Sequence, residues 1–392
     1  MKNILFIPTY TYLSSPIFSN LLPMLQDYNN IYLDIEEQYM CDKTSIEFQS
    51  QFNEINKINL DMNATTFISK IKKFFKIKRF IKELKLFIKN IKPSIIITTS
   101  DMTLSVRVIK KYFPNIPIVV IQSGTTGNKN IPRRLVQKIQ YILFNKILQI
   151  PIISNQNYFG NESNDIIVLL WGEYFKNLLV SSNNKYIIGN IVYDYFPIKK
   201  NIDIRKQILL DNYFDINTKI VALCTTPLML GFLKKEFSFD VNRLYKEIII
   251  NRPDILFIIK PHPRNKTKDL REYFTSLNLN NIIIYDKDLF YLFQFIDLHI
   301  ASFSGTSLEA LASNIPIISV NPNNEIPLQD ILNNELDEKV INLNELIEKV
   351  DKLLLDSSEF FKLKDEFVSK KLYKLDGKAT QRAVDIIKEK IL

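Results

Sequence analysis

A chain of 392 residues with 46% hydrophobic content and formal net charge +9 is long and apolar enough to bury two globular cores. No stretch approaches the roughly 18 uninterrupted apolar residues of a membrane span, and the opening MKNILFIPTYTYLSS, broken by Pro8 and lacking a small-residue cleavage site, reads as a first strand rather than a signal peptide. Cys41 and Cys224 stand far apart without a CxxC or Cys/His spacing, so neither a disulfide framework nor a zinc site is indicated and the cytoplasm is the expected compartment.

In chain order, short apolar runs at residues 4–7, 31–35, 94–98, 116–121, 152–154 and 166–170 read as strands, with helical patterns such as 70–90 and 105–112 between them. Runs without polar alternation belong to strands buried on both faces, hence to a parallel sheet flanked by helices. The pattern restarts with strands at 219–223, 255–259, 281–285, 298–301 and 315–320, and helical patterns at 343–355 and 360–368 follow. The expected architecture is α/β: two doubly wound Rossmann-like domains, 1–196 and 197–392, joined within 195–217 and facing a central cleft. No internal repeat or long linker interrupts this order.

The charge is concentrated. Between Phe67 and Pro93 lie Lys70, Lys72, Lys73, Lys76, Lys78, Arg79, Lys82, Lys85, Lys89 and Lys92 against the single acid Glu83, an excess as large as that of the whole chain. Phe67, Ile71, Phe74, Phe75, Phe80, Ile81, Leu84, Phe87, Ile88 and Ile91 recur there at helical spacing, so the segment reads as an amphipathic helix with one cationic face. That face is either ordinary solvated surface or a contact for anionic lipid or a phosphate-bearing acceptor. No nucleic-acid module accompanies it.

Two stretches carry chemistry. In FIIKPHPRNK one of the chain's two histidines, His262, is fixed between Pro261 and Pro263 at a strand's carboxyl end, where its ring can meet a phosphate or sugar oxygen. In HIASFSGTSLEALASNIPIISVNP a strand runs through Ser302, Ser304, Gly305, Thr306 and Ser307 into a helical pattern. Small hydroxylated residues with one glycine at a helix start offer N–H groups and hydroxyls to an anion. Glu309, one turn on, either complements the helix dipole or holds a ribose. His299 lies inside its strand and reads as structural.

KPHP followed by FSGTSLEALASNIPIISVNP resembles the donor domain of GT-B-type glycosyltransferases, especially bacterial enzymes of capsule and surface-polysaccharide synthesis and His-Pro-motif sialyl- and Kdo-type transferases. The resemblance implies that His262 binds the nucleotide phosphate, that Ser304, Gly305, Thr306 and Ser307 cradle it, and that Glu309 binds ribose. Thr225 and Thr226, after strand 219–223, would form a further phosphate-facing loop. The implied substrates are a UDP- or CMP-linked sugar and a glycan or lipid-linked glycan acceptor at the inner face of the membrane, with no metal or other cofactor.

Residues 92–127 and 188–196 are similar in layout to UDP-N-acetylglucosamine 2-epimerases, which share the GT-B fold. Where that family has a Glu followed by Ala-Gly, this chain has Gln122-Ser123-Gly124, and where it has paired acids only Glu309 remains. An amide cannot exchange a proton as a carboxylate does, so the departures count against epimerisation. The family's functional Asp is matched by Asp101, which reads either as the base for an acceptor hydroxyl or as the cap of the helix beginning near Thr103; Asp34, Glu36 and Glu37 stand in reserve. Glycerophosphate transfer and a non-catalytic GT-B scaffold are the other implied readings.

Overall fold

A computed structural model describes residues 1–9, 11–37, 46–60, 67–124, 145–147, 149–150, 160, 165–179, 184–196, 200–225, 235–262, 272–302, 304–324, 336 and 339–391. The chain divides into two compact units, Met1–Asp194 with Lys370–Leu392, and Tyr195–Ser369. The expected boundary is residue 196; the first unit's leading segment ends at Asp194, and residues 370–392 group with the first unit.

Among its described residues the first unit holds seven strands: β1 (Asn3–Ile7), β2 (Asn29–Glu37), β3 (Glu54–Leu60), β4 (Ile95–Thr98), β5 (Ile118–Ile121), β6 (Ile167–Leu170) and β7 (Asn184–Ile187). Their order is β3-β2-β1-β4-β5-β6-β7, and every pairing is parallel. Central strands β1, β4, β5 and β6 are almost wholly buried, as their unbroken Ile, Leu and Val runs require. Helices α1 (Thr11–Leu21), α2 (Ile46–Gln49), α3 (Phe67–Ile91), α4 (Leu104–Tyr112) and α5 (Glu173–Leu178) connect them. Strand β2 runs through Asp34 and on to Glu37, so the reserve acids belong to the strand and not to a joint after it. The strand expected at 152–154 lies outside the described residues.

Among its described residues the second unit has five parallel strands, β8 (Ile220–Cys224), β9 (Leu256–Lys260), β10 (Ile282–Ile284), β11 (Leu298–Ala301) and β12 (Ile317–Ser319), in the order β10-β9-β8-β11-β12. Its helices are α6 (Ile202–Asp211), α7 (Lys235–Asn251), α8 (Leu289–Leu292), α9 (Thr306–Ala312), α10 (Leu343–Leu355) and α11 (Ser358–Lys371), whose last residues already count with the first unit. Helix α6 falls in the segment expected to be a join; Asn201 caps it, accepting from Ile204 N–H. Val221, Leu223, Phe257, Ile259, Leu298 and Ile300 face Tyr245 and Ile248 of α7 in one core.

The return of the chain has a polar cause. Asp194 accepts from the N–H groups of Ala379 (3.0 Å) and Thr380 (2.7 Å) and from the Thr380 hydroxyl (2.6 Å), capping the last helix, α12 (Ala379–Ile391). Arg382 Nε donates to Ile188 O at 2.7 Å. Ala383, Val384 and Ile387 then complete the first unit's core beside Phe6, Phe18 and Ile97. At Gly172 a Cβ would sit 2.1 Å from Lys371 O, so this approach requires glycine.

Helix α3 buries Ile77, Phe80, Ile81, Leu84 and Ile88. Phe75, expected on the apolar face, is 62% exposed, and Leu86 is 59% exposed. At 100° per residue these two lie together on the face opposite the buried stripe, among exposed Lys78, Arg79, Lys82 and Lys89. Glu83 is bound by Arg79 at 2.6 Å. The side chains of Lys70, Lys72 and Lys73 lie outside the described residues.

Candidate functional site

In an open parallel sheet, ligands bind outside the carboxyl ends of the strands where the strand order reverses. In the second unit that point lies between β8 and β11, with β9 beside them. The joints after these three neighbouring strands carry the residues singled out by sequence: Thr225, His262, and Ser304 to Glu309.

The first two joints are tied together. Thr225 N–H donates to Lys260 O, and the backbone N–H of His262 donates to Thr225 Oγ1, both at 3.0 Å. Pro261 is buried and His262 half-buried. Thr226 and Pro263 lie outside the described residues.

The third joint is a knot of hydroxyls. Ser304 Oγ and Thr306 Oγ1 are 2.8 Å apart, and Thr306 N–H donates to Ser304 Oγ at 3.3 Å. Gly305 is exposed, with φ −60° and ψ −23°, a conformation open to any residue. Among the described residues, a Cβ added there would meet nothing within 4 Å. Neither backbone nor packing asks for glycine, which leaves an open approach to this turn. Ser307 lies deeper, at 2% exposure, beneath the turn rather than on it.

Two polar atoms of this joint, Ser302 Oγ and Glu309 Oε2, are buried without a hydrogen-bond partner among the described residues. Each such atom costs about 1–3 kcal/mol, and costs of this kind mark functional sites. Glu309 as a residue is half-buried, yet Oε2 has no solvent contact, and burial, helped by the charge of Asp288, pushes its carboxyl up to about 7. The sequence placed Ser302 in this turn but gave it no ligand role, because a serine after a strand carries no signal of its own burial.

Behind the knot lies His299, fully buried, which burial holds neutral with its pKa lowered to about 3. Its Nε2 is 3.0 Å from Thr306 Oγ1 and its Nδ1 3.7 Å from Cys224 Sγ. Burial pushes the Cys224 thiol up to about 12, against a hydrogen bond with Thr306 and the charge of Lys260.

In the first unit the carboxyl ends of β4, β5 and β6 carry Asp101, Gln122 and Trp171. Asp101 is fully buried, and its Oδ1 accepts from Gly160 N–H at 2.7 Å. It does not cap α4; Thr103 does, accepting from Val106 N–H. Gln122 uses both ends of its amide: Oε1 accepts from Trp171 N–H at 2.9 Å and Nε2 donates to Gly124 O at 3.1 Å. A glutamate there would set an oxygen against that carbonyl. Asp34 faces Lys57 at 3.8 Å. Among the described residues no group of three or more His, Cys, Asp or Glu converges as a metal site would require, and no helix is long and apolar enough to cross a membrane.

Two parallel doubly wound sheets, each with its joints at the carboxyl edge, define a GT-B fold. Solved structures with this fold resemble the chain over nearly its whole length. The UDP-GlcNAc 2-epimerase of Neisseria meningitidis, bound to UDP-GlcNAc, has TM-score 0.61 and 14% identity over 99% of this chain and 100% of its own. The wall teichoic acid polymerase TagF has TM-score 0.58 and 15% identity over 100% and 89%. MurG of Acinetobacter baumannii has TM-score 0.54 and 10% identity over 99% and 100%. No family model and no curated protein sequence matches. At such identities the likeness establishes the fold and leaves the chemistry to the residues.

Proposed function

We propose that the protein is a glycosyltransferase that moves a sugar from a pyrimidine nucleotide sugar, UDP- or CMP-linked, to a surface-glycan acceptor by an inverting, metal-independent route. The observation that carries this reading is the Ser304-Gly305-Thr306 turn at the reversal of the second sheet, where a glycine needed by neither backbone nor packing leaves two hydroxyls approachable. A phosphate fits such a turn, with His262 and Thr225 on the adjoining joints and the buried carboxylate of Glu309 for a sugar hydroxyl. Neighbouring folds include a protein bound to UDP-GlcNAc.

In the proposed reaction the acceptor oxygen bonds to the anomeric carbon as the bond from that carbon to the phosphate oxygen breaks. The nucleotide leaves with the electron pair, its charge met by His262 and the hydroxyl turn. The acceptor proton passes to Asp101, the proposed base, whose Oδ1 is oriented by Gly160. Gln122 weighs against epimerisation, since both ends of its amide are committed to holding Trp171 and Gly124.

We place the protein in the cytoplasm, peripheral to the inner face of the membrane, with the outer face of α3 toward anionic lipid. Exposed Phe75 and Leu86 among Lys78, Arg79, Lys82 and Lys89 support that placement. The test is release of UDP or CMP from nucleotide sugars with and without a lipid-linked glycan. A transferase releases nucleotide only with the acceptor; interconversion of the sugar without acceptor or nucleotide release identifies an epimerase.

A further inference from the structure

His299 occupies a strand interior, where a buried ring is ordinarily packing, yet its two nitrogens face two hydrogen-bonding groups. Nε2 is 3.0 Å from Thr306 Oγ1, Nδ1 is 3.7 Å from Cys224 Sγ, and Thr306 Oγ1 is 2.8 Å from Ser304 Oγ. The edge of Phe293 fixes the ring plane, with centroids 5.8 Å apart at 88°.

A neutral imidazole carries one N–H and one lone pair, so these contacts can run in two directions. If Nδ1 holds the hydrogen, Thr306 donates to Nε2 and Ser304 donates to Thr306, leaving Ser304 only a lone pair for a ligand. If Nε2 holds it, the order reverses. Thr306 Oγ1 then accepts from the ring and donates to Ser304, which also accepts from Thr306 N–H. Among the described residues, Ser304 is left with its own O–H as its one free valence. The thiol decides between them: Cys224, buried and protonated, has one hydrogen to give, and of its two neighbours, Nδ1 and Thr306, the imidazole lone pair is the stronger acceptor.

We infer that His299 is a positioning residue: with its hydrogen on Nε2, it acts through Thr306 to present the Ser304 hydroxyl as a donor to a phosphate oxygen. The inference rests on the proposed nucleotide site. It accounts for the pairing of a buried histidine on β11 with a threonine at the start of α9, and it makes the turn selective for an acceptor-rich anion over a ligand that brings its own N–H. Nothing in this role needs the ring to change charge.

The experiment is calorimetric binding of UMP and CMP, with uridine and cytidine as phosphate-free controls, to wild type, H299L, H299Q, T306V and H299L/T306V. H299L should weaken binding of the recognised nucleotide by about tenfold or more, as expected for a lost hydrogen bond to a charged group, and leave its nucleoside unchanged. H299Q, which can extend an amide N–H toward Thr306, should recover most of the loss, and H299L should add nothing in the T306V background. Equal weakening of nucleotide and nucleoside, or additive effects of H299L and T306V, overturns the inference while leaving the site in place. Binding of no phosphate ligand by wild type overturns the site itself and the ligand half of the inference. The relay is read independently of any ligand, and of whether H299L folds, from the imidazole 15N spectrum of wild type: a hydrogen on Nε2 is expected, and a hydrogen on Nδ1 refutes the assigned direction.

Discussion

Replacing Gly305 by alanine separates the needs of the chain from those of a ligand. The residue has φ −60° and ψ −23°, and its new methyl would meet no atom of the described residues within 4 Å. A glycine whose conformation alanine adopts freely costs entropy in the unfolded chain, so G305A should stabilise the second unit by about 0.4–1 kcal/mol. The preference for glycine over alanine at helix caps does not oppose this, because the backbone here is already helical and no side-chain cap bond is made. The same methyl stands in the approach to Ser304 and Thr306, and nucleotide affinity should fall at least tenfold, about 1.4 kcal/mol. Urea unfolding followed by calorimetric titration with the recognised nucleotide reads both quantities on one preparation. A variant that binds like wild type would show that no ligand approaches at Gly305; one that unfolds early would show that the chain itself needs the glycine.

Three further outcomes are expected. Glu309, held near 7 against an ordinary 4.5, keeps its proton in the folded state where the unfolded chain has lost it. Its contribution to stability is therefore full below pH 4.5 and is lost as pH rises through 7, so E309Q should gain on wild type by at most about 3 kcal/mol at pH 8 and by little at pH 4; parallel pH–stability curves would contradict this. D101N keeps an oxygen for Gly160 N–H and should unfold like wild type, yet lose about 10²–10⁴-fold in transfer rate; near-normal turnover would remove Asp101 from the chemistry and leave it the holder of Gly160. Serine at both Phe75 and Leu86 should weaken sedimentation with phosphatidylglycerol vesicles at least tenfold without altering nucleotide binding, since each apolar side chain entering lipid contributes about 1.5–3 kcal/mol. Unchanged sedimentation would make the outer face of α3 ordinary surface.

The central strands were legible because burial on both faces leaves a continuous apolar run, as in IVVI of β5 and IVLL of β6. The edge strands of the first sheet escaped the same reading. EINKINL of β3 and NKYI of β7 are half polar, since a strand at the rim of a sheet is solvated along one side. The return of the C-terminal helix to the first unit was invisible for another reason: it depends on Asp194 meeting Ala379 and Thr380, polar partners 185 and 186 residues apart that no local pattern links. At the site, His262, Ser304 and Gly305 could be read from strand-to-helix joints, and the fold sets their joints beside one another. His299 could not be read beyond its strand, because its tie to Thr306 exists only once the turn after β11 folds back over the ring.

The proposed function requires the second unit to bind a pyrimidine nucleotide through its phosphate. Calorimetric titration of the protein with UMP, UDP, CMP and CDP, beside H262A, measures that directly. Saturable binding of nucleotides of one base, weakened in H262A, is the outcome expected of that function. Absence of binding by all four, or affinity indifferent to His262, would contradict it.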